Sequence, residues 1–173
     1  MVKKTEELKR IFPAISLSEI ESSSSFRYEK LNISIFQDWL SEEEATILLK
    51  PLTKTKFNNK FNDLQFNLEC KKFIKLYEWI FENYDIYFVD TYDFDRGKNS
   101  DIYKIYKIEN VQHFRGLYEK SLNDIEKFQL LLPEIELIYF SGYDFTDTIM
   151  FNNKELIHSI IEELKANNLH LLY

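Results

Sequence analysis

This chain has three glycines in 173 residues, Gly97, Gly116 and Gly142, where ordinary usage of about 7% would supply roughly twelve. Glycine lets backbone take positive φ or approach a ligand closely. Phosphate-cradling loops, dinucleotide turns and nucleophile elbows are built on it. A chain this poor in glycine has almost no material for such sites. It carries instead 11 tyrosines, 15 phenylalanines and a net charge of −7. That combination suits a compact domain that meets partners through an acidic, aromatic surface.

The length fits one domain spanning 1–173. With 45% hydrophobic and 16% aromatic residues, the chain can bury a core, and global disorder is not expected. No apolar run approaches about 18 residues, so no membrane span is expected. Met1 to Arg10 is charged and amphipathic and lacks the apolar stretch of a secretory signal. The single cysteine, Cys70, can form no intramolecular disulfide. These features together predict a reducing, cytoplasmic setting. The Asn32-Ile33-Ser34 sequon carries no weight there. Abundant Asn, Lys and Ile point to an AT-rich genome, bacterial or viral.

The charge is uneven. Residues 1–86 hold 13 Lys and Arg against 14 Asp and Glu, whereas residues 87–173 hold 9 against 15. The second half therefore carries nearly all the negative field. Such a field repels nucleic-acid phosphates and steers basic surfaces inward.

Periodicity and punctuation predict the elements. Thr5 to Phe12 reads as a short helix ended by Pro13, and Ser22 to Ser25 as a flexible loop. Leu31, Ile33 and Ile35 alternate as in a strand. Ser41 followed by Glu44 forms a capping box that starts a helix running to about Lys50 and stopped by Pro51. Thr53 to Asp63 reads as loop. Phe73, Leu76, Tyr77, Ile80 and Phe81 make one apolar stripe on a helix from Leu68 to Asn83. Residues 86–108 read as a hairpin with a polar turn at Asp93 to Ser100. Val111 to Leu132 reads as mostly helical, in two pieces. A second hairpin spans 136–151, with its turn at Ser141 to Thr146. A final helix covers Lys154 to about Ala166, capped by Asn152 or Asn153, and Leu169 to Leu172 makes a last strand. The expected class is α+β: antiparallel hairpins packed against several amphipathic helices.

Few residues offer chemistry. Asp90, Asp93, Asp95 and Asp101 gather near Gly97, but the EF-hand pattern fails at its fifth, sixth and twelfth positions, which are Gly97, Lys98 and Lys104. The cluster is otherwise a solvated hairpin tip beside Arg96 and Lys98. His113, His158 and His170 form no metal or catalytic spacing. Cys70, beside Lys71 and Lys72 in a helix, reads as a buried structural thiol. Ser141-Gly142 lacks the preceding glycine of a nucleophile elbow. Lys54, Lys56 and Lys60 interleave with Phe57 and Phe61, a short nucleic-acid-like pattern in an acidic protein. No cofactor and no metal are expected.

The sharpest local feature is Tyr139 to Asp147, with four aromatics and two acids in nine residues at a hairpin turn. Aromatics on a rigid turn make good anchors, and acids beside them can pair with Arg or Lys. The competing interpretation packs Tyr139, Tyr143 and Phe145 into the core. The expected partner-binding residues are Tyr143, Asp144, Phe145 and Asp147. The expected function is an immunity-type inhibitor that neutralises a basic toxin or effector, such as a nuclease, by direct binding. The alternatives are a small metal-dependent enzyme using the aspartate cluster, and a subunit of a larger assembly.

Overall fold

A computed structural model describes residues 28–53, 60–90, 104–122 and 128–173. Seven strands form one sheet in the order β3-β2-β4-β5-β6-β1-β7, and every neighbouring pair is antiparallel. The strands are β1 (Glu29–Ser34), β2 (Tyr87–Asp90), β3 (Lys104–Lys107), β4 (Gln129–Leu132), β5 (Leu137–Tyr143), β6 (Thr146–Phe151) and β7 (His170–Leu172). The described helices are α1 (Glu42–Leu48), α2 (Asp63–Asn83), α3 (Val111–Leu122) and α4 (His158–Ala166). The α+β class is therefore as expected, and β2–β3 and β5–β6 supply the two hairpins.

One face of the sheet packs on the helices. Leu31 and Ile33 of β1, Leu130 and Leu132 of β4, Leu137 and Tyr139 of β5, and Ile149 and Phe151 of β6 share a core with Phe73, Leu76, Tyr77 and Ile80 of α2. Phe114 and Tyr118 of α3, and Ile160 and Leu164 of α4, complete it. The strand residues recur at every second position because successive side chains point to opposite faces. The intervening residues Val89, Leu131, Ile138 and Met150 gather on the other face under Tyr28, Tyr87, Ile105 and Phe140.

Four assignments change. Helix α4 starts at His158 and not at Lys154, and neither Asn152 nor Asn153 caps it: Asn153 accepts from the Glu155 N–H in the turn before it. Gln129–Leu132 is a strand, not the end of a helix, and it sits between β2 and β5. Its run Leu130-Leu131-Leu132 is buried on both faces, so it shows no alternation from which a strand could be read. Helix α2 starts at Asp63, five residues before the predicted Leu68, with the Asn62 side chain accepting from the Gln65 N–H. Its exposed Leu64 and Leu68 lie off the apolar stripe and conceal the first turns. The second hairpin turn shrinks to two residues, Asp144 and Phe145, because Tyr143 already pairs with Thr146. Thr5–Phe12 and Ser22–Ser25 lie outside the described residues.

The capping box is formed as expected. The Ser41 hydroxyl accepts from the Glu44 N–H while Glu44 accepts from the Ser41 N–H at 2.9 Å. The Ser41 hydroxyl also donates to Glu44 Oε2 at 2.7 Å, and this bond, followed by the one from the Ser41 N–H, holds the Glu44 carboxyl below its usual range. Pro51 falls in a 3-10 turn, Lys50–Leu52, just past α1.

Candidate functional site

The site begins with a β-bulge. Phe140 pairs with Thr148 and Tyr143 with Thr146, so Ser141 and Gly142 together face the single residue Asp147. A bulge bends its strand and re-aims side chains. Gly142 suits this position because a Cβ there would lie 1.6 Å from the Thr146 carbonyl oxygen. Its N–H donates to Asp147 Oδ1 at 2.8 Å.

Asp147 shares its face of β6 with Ile149 and Phe151, so a carboxylate stands where the strand otherwise presents core residues. It is 5% exposed. A buried carboxylate needs donors. Tyr77 from α2 donates to Oδ2 at 2.5 Å and Tyr139 from β5 at 2.6 Å. Burial, reinforced by the adjacent carboxylate, raises both phenols well above their ordinary value. The Tyr77 ring packs on Tyr118 at 5.4 Å, Phe128 at 5.5 Å and Tyr139 at 5.9 Å, which fixes the hydroxyl. At the outer edge of this aromatic group, Glu78 accepts from Tyr118 and forms an ion pair with Arg115 at 2.9 Å.

A partly open cleft of about 30 Å³ lies over the network and reaches Tyr77, Gly142 and Asp147. Phe73 and Phe145 also line it, as does Asp144 from the turn. Asp144 and Phe145 both have positive φ, 53° and 56°, as a two-residue hairpin of the left-handed type requires. An aspartate tolerates this backbone, but a phenylalanine there is a genuine outlier. The Phe145 ring explains it by packing on Phe66 at 5.7 Å and Phe73 at 6.2 Å.

The four expected partner-binding residues are thus separated. Asp144 is exposed at the turn. Phe145 is half-buried against α2 and is not a projecting anchor. The expectation that Asp147 offers its charge at the surface is corrected: β6 begins at Thr146, and alternation along it puts Asp147 on the buried face toward α2. Tyr143 ends β5, and its side chain lies outside the described residues. Tyr77 and Tyr139 were missed as site residues. The available signal was an acid at period two with Ile149 and Phe151, which marks a polar group on a core face.

The other candidates fall as follows. Cys70 is buried with Leu52 and Phe66. His113 stacks on Tyr106 at 5.8 Å, while His158 and His170 begin α4 and β7. Asp90 ends β2, and Asp93, Asp95 and Asp101 lie outside the described residues, as do Lys54, Lys56 and Phe57. Among the described residues, no group of three or more His, Cys, Asp or Glu side chains is placed to hold a metal ion. No described helix is long and apolar enough to cross a membrane.

The surface offers a second feature. None of the seven residues of α1 is buried. The helix carries Glu42, Glu43 and Glu44 in its first turn, with Ile47 63% exposed and Leu48 also exposed at its end. Trp39, just before it, is 57% exposed and donates its indole N–H to the Tyr173 carbonyl at 3.0 Å. Compared with protein-family models, curated proteins and solved structures, the chain matches none.

Proposed function

We propose that this protein is a protein-binding inhibitor of the immunity type, which neutralises a basic toxin or effector, such as a nuclease, by covering it. The observation that supports this most is residues 39–48, where an unburied helix presents three glutamates beside exposed Trp39, Ile47 and Leu48. A helix contributing nothing to the core is retained here with apolar side chains in water, as at surfaces that meet other proteins. Charge and apolar anchors divide the work: the acids speed encounter, and the Trp and aliphatic groups slow dissociation. Asp144 adds an exposed negative charge. The lone buried thiol, Cys70, suits a reducing cytoplasm.

The test is capture of binding proteins at low and high salt, followed by kinetics with the purified partner. Reversing the charge of Glu42, Glu43 and Glu44 to Lys is expected to cut the association rate about tenfold or more at low salt. The partner's own activity should be blocked by the unmodified protein at one-to-one stoichiometry. An unchanged association rate in the triple variant would remove α1 from the interface. Failure to inhibit any captured basic protein would overturn the reading.

A further inference from the structure

We propose that the cleft between the 144–145 turn and α2 binds one organic cation, a guanidinium or alkylammonium head, between the Phe73, Tyr77 and Phe145 rings and the Asp144 and Asp147 carboxylates. Five lining residues carry this assignment. Aromatic faces attract cations through their quadrupole, and Arg-type planes also stack on them. Two carboxylates on one small cleft favour positive charge over neutral or anionic groups, more so where one of them is buried. Asp147 is 5% exposed and held by Tyr77 and Tyr139, so it is a rigid charge that needs no reordering when a ligand arrives. Asp144, at the exposed turn, is the charge a cation meets first.

Size decides the class of ligand. About 30 Å³ has room for one or two waters, hence for the head of a side chain or a small amine, not for a whole metabolite. The backbone strain at Phe145, φ 56°, is held by its ring packing, so the wall it forms is fixed before any ligand enters. If the protein-binding reading above is right, the cation is an Arg or Lys of the partner inserted beside the hairpin turn. The cation site itself stands on the cleft alone.

The experiment titrates the full-length protein with methylguanidinium and, in parallel, propylammonium, followed by amide NMR. Methylurea serves as the neutral, nearly isosteric control. Saturable shifts confined to Leu122, Gly142, Asp144 and Phe145 are expected with the cations and not with methylurea. Asp144→Asn keeps a side chain suited to this backbone and is expected to weaken cation binding about threefold, the size of an exposed ion pair's contribution. Asp147→Asn should weaken it further, and its amide spectrum reports whether the fold is retained. Shifts that do not saturate, or that methylurea reproduces, would overturn the proposal. Free cations that bind while no protein partner exists would leave the cation site standing and remove the inhibitor reading. A partner that binds through α1 while free cations do not would do the reverse.

Discussion

Asp147 is the one charged side chain among the buried residues described. Its carboxylate ties β6 to α2 through Tyr77, to β5 through Tyr139, and to the bulge through Gly142. Replacing Tyr77 or Tyr139 with Phe leaves a buried carboxylate short of a donor and is expected to cost roughly 1–3 kcal/mol each. The double variant should lose more than the sum, since the two hydroxyls share one oxygen. Urea unfolding measures both. The same pair sets a response to alkali. Their phenols hold protons more tightly in the fold than in the open chain, whose tyrosines ionise near the ordinary value of 10.0. Stability from this source is whole below that pH and falls as pH climbs past it, because the unfolded chain then gives up protons that the fold retains. Tyrosinate absorbance followed with the unfolding midpoint should show the decline, and the double Phe variant should show less of it.

Among the elements, α1 and β4 stand at opposite ends of legibility. Ser41, three glutamates and Pro51 state the start and stop of α1 in local chemistry, and the structure contains it nearly as read. None of its residues is buried, so its ends carry most of what the sequence can state about it. Strand β4 has no local statement to make. Its leucines face both layers, and only pairing with Tyr87 to Val89 and with Leu137 to Phe140 makes them a strand. The site was hidden for a related reason. An aspartate at a turn normally faces water, and Asp147 points inward because β6 already begins at Thr146, so that alternation sets it on the face of Ile149 and Phe151, where the bulge at Gly142 supplies it a donor. Because α1 is unburied, Ser41→Ala is expected to raise amide exchange within residues 42–48 several-fold while leaving the global unfolding midpoint unchanged. A shift of the global midpoint would mean that α1 is coupled to the core.

Across the whole molecule, the sheet order has a consequence for how the protein is made. Strand β1 lies between β6 and β7, and its first hydrogen-bonding neighbour in chain order is β6. Thr148 bonds Asn32 across 116 positions. During synthesis, residues 29–34 leave the ribosome long before either neighbour exists, and contacts this distant form slowly. The backbone of β1 therefore stays without its strand partners until the last third has emerged, a window in which a chaperone or a protease has first access. Chains stopped after residue 145 should be cut rapidly within 28–36 by a non-specific protease, and chains extended through 173 should resist.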